Sequence, residues 1–122
     1  MAKVRIQKTP DWPQDGRSPS ETVQIPLNHG FYAKIDAELY PIISQYKWKA
    51  VKSAYCWYAV AKVVENGKIS SIRMHRLIAE TPPNMDCHHK NFITLDNRRE
   101  NLCNLDPELH QLLHRYHKLQ KT

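Results

Sequence analysis

Five of the chain's seven histidines fall between positions 88 and 117, and no other feature restricts the possible folds as much. An apolar core gains little from imidazoles, which must find hydrogen-bond partners or ligands once buried. Their setting is the stretch 86–114, DCHHKNFITLDNRRENLCNLDPELHQLLH. Asp106-Pro107-Glu108 reads as a helix start. Asp106 suits the N-cap, Pro107 the first helical position where its missing N–H costs nothing, and Glu108 the positive end of the dipole. The helix is expected to run from Pro107 to about Gln120. Its apolar face would be Leu109, Leu112, Leu113 and Tyr116, with His110, His114 and His117 at i, i+4 and i+7 on a stripe beside it. Upstream, 87–89 and 101–105 are short runs able to pair as a hairpin across the loop 90–100, where Asp96-Asn97 favours a turn. A hairpin packed on that helix brings His88 and His89 against His110 and His114.

The spacing within this stretch carries chemistry. Asn101 follows twelve residues after His89, His110 nine further on, and His114 four after that. Adjacent histidines are ordinary on a surface, and an i, i+4 pair on a helix is often only a solvated face. The four positions together, followed by a capped helix, resemble the HNH (ββα-metal) nucleases. The likeness is to small phage and intron-type HNH homing endonucleases and to nuclease colicins. It extends through MHRLI at 74–78 and LDNRRENL at 95–102, and covers roughly residues 23 to 117.

The resemblance implies a role for each position. His89 stands where the family has its general base, and Asn101 where it has the residue that orients that base. His88 stands at the first metal-ligand position, often Asp in the phage branch. His110 stands at the second, and His114 at the further histidine ligand of the colicin-like branch. The chemistry of the residue types agrees with these roles. Imidazole titrates near neutral pH, as a base for phosphodiester hydrolysis should, and an amide carbonyl can hold its second nitrogen without adding charge. A cation would neutralise charge developing on the phosphate and the leaving oxygen. One divalent ion is expected. Imidazole donors favour Zn²⁺, Ni²⁺ or Mn²⁺, whereas the family commonly works with Mg²⁺. The products implied carry 5′-phosphate and 3′-hydroxyl ends, and one such site cuts one strand per encounter.

The basic balance fits a nucleic-acid partner. The chain of 122 residues carries a formal net charge of +6, which suits double-stranded DNA without requiring it. Arg73, Arg76, Lys90, Arg98, Arg99 and Arg115 surround the histidine stretch and are the candidate phosphate contacts. No apolar run approaches a membrane span and no signal-peptide core opens the chain, so an intracellular protein without membrane contact is expected. Three cysteines without a CxxC pair fit reduced thiols in that setting. A monomer or a homodimer fits equally.

Before the histidine stretch the pattern is β-rich. Residues 1–21, with three prolines and no periodicity, are expected to form a flexible arm. Val23, Ile25 and Leu27 alternate as in a half-buried strand, 28–30 turn, and 31–35 return. Asp36 is expected to cap a short helix to about Tyr46, disturbed by Pro41 unless it lies in the first turn. A strand should begin at Trp48. YCWYAVAKVV at 55–64, a tight turn at 65–68 and 69–74 form a second hairpin, and 75–80 a short helix stopped by Pro82-Pro83. Tyr55, Trp57 and Tyr58 are read as sheet packing and His75 as structural. The whole is an α+β chain: a β-rich N-terminal half (22–80) followed by a ββα-metal hairpin and helix (84–120), in one domain. The reading that competes with a nuclease is a non-catalytic nucleic-acid-binding module. There His88, His110 and His114, with Cys87 or Cys103, would hold a structural zinc. Such sites are usually Cys-rich and closed by four ligands.

Overall fold

A computed structural model describes residues 21–120 of the chain. Nearly all of the N-terminal segment read as an arm therefore lies outside the described residues. Three small antiparallel sheets follow one another along the chain. The first pairs β1 (Thr22–Pro26) with β2 (Tyr32–Asp36), matching Val23 with Ile35 and Ile25 with Ala33. The alternation seen in the sequence thus places Ile25, Ala33 and Ile35 inside. A 3-10 turn (Ala37–Leu39) and a single α-helical turn, α1 (Tyr40–Ile43), follow, with Pro41 in the first turn where it breaks no hydrogen bond. Asp36 does not cap this segment with its side chain. Its buried carboxylate instead accepts the Arg99 backbone N–H at 2.8 Å, across the molecule, and burial raises its pKa.

The second sheet is β3 (Trp48–Ser53), β4 (Cys56–Glu65) and β5 (Lys68–Arg73), in that order. Asn66 and Gly67 join β4 to β5 with φ of 52° and 76°. That is the pair of left-handed residues a two-residue hairpin turn requires, and Asn-Gly tolerates it. Trp48, Ala50, Ala59 and Ala61 face the core, and the Trp48 indole donates to the Ile43 carbonyl at 2.7 Å. The small alanines let Ile35, Ile43, Met74 and Ile78 close over the sheet.

Helix α2 (Met74–Ala79) ends on Glu80 in a left-handed conformation, ahead of Pro82-Pro83. It buries Met74, His75 and Ile78. The third sheet is the hairpin of β6 (Asp86–His89) and β7 (Leu102–Leu105), and helix α3 (Pro107–Gln120) completes the chain. The observed architecture is therefore mixed, β-rich first and helical last. Asn104 ties β7 to α2, accepting from the Thr81 hydroxyl and donating to the Ala79 carbonyl. The first hairpin reaches the same region. Lys34 donates its N–H to Leu95 O at 2.8 Å, and its carbonyl accepts from Asn97 N–H at 2.7 Å. The loop between β6 and β7 is thus bound to β2 like a short extra strand.

Helix α3 departs from expectation in one respect. Most of its leucine face does not pack on the body: Leu109, Leu112 and Tyr116 are 45%, 56% and 61% exposed, while Leu113 is half-buried. The histidine stripe faces the hairpin in its place.

Candidate active site

Successive residues of a strand point to opposite sides, and β6 uses this to separate two neighbouring histidines. His88 turns towards α3. Its ring lies 5.2 Å from that of His110 and 5.7 Å from that of His114, edge-on to both. One nitrogen from each of the three lies within 4.8 Å of the others. His89 turns the other way, with its ring 4.9 Å from that of His75 and 6.4 Å from that of Tyr58. The expectation that both histidines meet the helix therefore holds for His88 alone.

The tautomers on α3 follow from the partners. Asp86, at the start of β6, can only accept, so His110 donates Nδ1–H to its carboxylate at 2.9 Å. This leaves the His110 Nε2 lone pair pointing into the cluster, where it accepts from His114 Nε2 at 3.0 Å. A carboxylate behind a histidine is the arrangement that fixes a metal-ligating ring and raises its basicity. His88 adds a second sign. Its Nδ1 is buried and has no hydrogen-bond partner, at a cost of about 1–3 kcal/mol unless something binds it. Burial, then His110 and His114, pushes its pKa down to about 4, so it presents a neutral ring. Burial, then His110 and His117, lowers that of His114. Three converging imidazoles, one orphaned buried nitrogen and a carboxylate behind one ring fit a metal ion, and the cluster could hold one.

His89 is 5% exposed and is held by an unexpected partner. Its Nε2 lies 2.8 Å from Asn97 Oδ1, so Nε2–H donates and Nδ1 keeps its lone pair. Burial lowers the pKa of this ring, against the raising effects of the Asn97 bond and the Asp96 carboxylate. Asn101, expected to orient this ring, does not bond it; Asn97 does. Asn101 braces the loop: Nδ2 donates to Asn91 Oδ1 and Asp96 O, and Oδ1 accepts from Asn91 N–H. Asn97, read from sequence as a turn residue, takes the contact with the base candidate. Its own Nδ2 is buried without a partner.

Between β4, α2, β6 and α3 lies a cleft of about 300 Å³, whose lining includes Tyr58, Arg73, His75, Asp86, His89 and His110. His89 and two rings of the cluster, His110 and His114, thus line one opening, while His88 faces a second hollow beside it. Arg73 lies over the Tyr58 ring at 4.9 Å, and Tyr58 stacks on His75. Two of the six proposed phosphate contacts are engaged elsewhere. Arg76 donates to Met85 O and Pro82 O, both at 3.0 Å. Arg98 forms a two-toothed pair with Asp96 at 2.7 Å on each oxygen. Burial would raise the Asp96 pKa, but the bonds from Arg98 and Asn91 prevail and lower it. The Arg99 backbone is the donor to Asp36. Lys90 and Arg115 are exposed, Lys90 beside the histidines and Arg115 on α3.

Sequence reasoning missed Phe92. It adopts φ of 63°, unusual for a bulky side chain. In this position it stacks on His117 at 3.7 Å and meets His88 edge-on at 5.1 Å, which walls the cluster. No residue type signals this, since phenylalanine does not favour that backbone conformation.

No family model, no curated protein and no solved structure matches the chain. No helix among the described residues is long and apolar enough to cross a membrane.

Proposed function

We propose that this chain is a metal-dependent DNA endonuclease of the HNH (ββα-metal) kind, hydrolysing one phosphodiester bond per site. One observation carries the reading: the buried, singly tethered His89 shares a cleft with His110 and His114, and its strand neighbour His88 completes the metal-competent cluster with those two. His88, His110 and His114 would hold the ion. A bound divalent cation would supply charge neutralisation at the scissile phosphate and the leaving 3′-oxygen. The donor set suits Zn²⁺, Ni²⁺ or Mn²⁺, and phosphate and water oxygens would leave room for Mg²⁺.

The chain's own residues do the rest. His89 accepts the proton of the attacking water at Nδ1. Asn97 keeps that nitrogen unprotonated by accepting from Nε2–H, and steadies the imidazolium that forms. Asp86 holds His110 in its ligating tautomer. Arg73, in the cleft lining, and Lys90, exposed next to His89 in sequence, would bind phosphate oxygens. A structural-zinc module explains the cluster but gives the His89–Asn97 pair in the cleft no task. It also lacks the cysteines, because the three-histidine cluster includes neither Cys87 nor Cys103.

The test is plasmid nicking by wild type and His89→Ala in Mg²⁺, Mn²⁺, Ni²⁺, Zn²⁺ and EDTA, with metal binding measured separately. The expected result is nicking that needs a divalent ion and falls by about 10²–10⁴ in His89→Ala, with metal binding retained. Metal and DNA binding without cleavage in any ion would replace this reading by the zinc-stabilised binding module.

A further inference from the structure

Most of the apolar stripe of α3 stands open to solvent. Leu109, Leu112 and Tyr116 fall on one stripe, 45–61% exposed, roughly 140° round the helix from the histidines that face the hairpin. Such a stripe on an otherwise polar helix marks a contact surface. Nucleic acid does not suit it, because the stripe is apolar and an acid, Glu108, lies along its edge. Two features say what does.

The first is charge. Glu108 and Arg115 are seven residues apart, so they flank the stripe on the same side, two turns from each other. Neither has an ion-pair partner among the described residues. When two identical helices pack antiparallel about a two-fold axis, like flanks meet. Glu108 of each copy then faces Arg115 of the other, twice. A parallel pair would lack this match.

The second is shape. Beside the stripe lies an open, mostly apolar hollow of about 450 Å³, whose lining includes Cys103, Leu105, Leu113 and Tyr116 together with His88 and Lys90. In the register that pairs Glu108 with Arg115, Leu109 lies over Leu112 of the second copy. Tyr116 then drops towards Leu105 and this hollow.

We infer that the exposed face of α3 is a homodimer surface, occupied by α3 of a second copy in antiparallel orientation. The inference goes beyond the nuclease reading and does not rest on it. Helix α3 is only 14 residues long, about 21 Å, so the area buried is below that of a standard stable interface. The dimer is therefore weak, with Kd in the micromolar range. Exposed ion pairs add little affinity, so the Glu108–Arg115 pairs act mainly to choose the orientation. Of the cluster, His88 also borders this hollow, whereas His110 and His114 line the cleft on the far side of the helix, which stays open in both copies.

Sedimentation velocity of metal-free, DNA-free protein across the micromolar to submillimolar range tests this. Wild type should move from monomer to dimer with concentration. Leu112→Glu, at an exposed position that the fold tolerates, should remain monomeric with an unchanged far-UV circular dichroism spectrum. Glu108→Arg should weaken the dimer at least threefold in Kd, and Glu108→Arg with Arg115→Glu should restore it. A wild type that stays monomeric throughout, or a dimer indifferent to Leu112→Glu or to the charge swap, would overturn the inference. Neither result depends on whether the protein cleaves DNA.

Discussion

Asn97 and Asn101 are both buried and stand four residues apart in one loop, yet they hold different things. Asn97 spends its carbonyl on the ring of His89 and leaves its own amide nitrogen unpartnered. That is a local cost accepted at a position that orients another group. Asn101 makes three hydrogen bonds to the loop around it and none to His89. Asn97→Ala should therefore lower the nicking rate by about 10²-fold, part of what a general base contributes, and should move the melting temperature little. Asn101→Ala should cost about 3 kcal/mol of stability, since it strands buried groups, while nicking at a temperature where it stays folded falls much less. Nicking rates and thermal melts on the same preparations decide between them. The reverse pattern would return the orienting role to Asn101. Spacing alone could not separate the two. The loop doubles back after Phe92, and its backbone pairing with Lys34 fixes where Asn97 points. Both depend on contacts distant in sequence.

At the scale of elements, α2 is docked through Met74, His75 and Ile78, and the histidine makes that docking sensitive to acid. Burial, then the neighbouring His89, Arg73 and Arg76, pushes the His75 pKa down to about 3, from 6.5 for the free side chain. Between those values the unfolded chain binds a proton that the folded one refuses, so stability rises with pH. It is complete above about pH 6.5 and drains away as pH falls towards 3. Going from neutral pH to about pH 5 should remove about 2 kcal/mol through His75 alone. Chemical denaturation in EDTA, comparing wild type with His75→Leu, should show the smaller pH dependence in the variant. An equal slope in both proteins would mean that His75 already carries water or a proton partner in the folded state. The identity of elements was largely legible from local signals. Asp106-Pro107-Glu108 and Asn66-Gly67 mark a helix start and a turn by their own backbone chemistry, and both lie where expected. Packing was less legible. Periodicity showed that α3 has a leucine stripe and a histidine stripe, but not which one the hairpin would take. Asp86 and the edge of His88 settle that, and they lie in another element.

Across the whole molecule, a net charge of +6 is distributed between two kinds of cation, and they should behave differently towards DNA. Arg76 and Arg98 are bound to carbonyls and to Asp96, and their guanidinium groups hold α2 and the loop in place. Arg73 lines the cleft and Lys90 stands exposed next to His89 in sequence, so of the six candidate contacts these two are the ones expected to displace counterions from a phosphate bound near the cleft. Each phosphate contact contributes about 0.9 to the slope of log K against log salt. On non-cleaving His89→Ala protein, adding Arg73→Ala and Lys90→Ala should make that slope shallower by about 2, whatever the DNA sequence. Arg98→Ala should instead lower stability, because it leaves the buried Asp96 carboxylate uncompensated, and should keep the slope nearly intact while the protein remains folded. Fluorescence anisotropy with one labelled duplex over a salt series measures both. Equal loss of slope from every arginine would mean that DNA senses a diffuse positive field. Two steps lost only with Arg73 and Lys90 would place the duplex at the mouth of the His89 cleft, within reach of the histidine cluster.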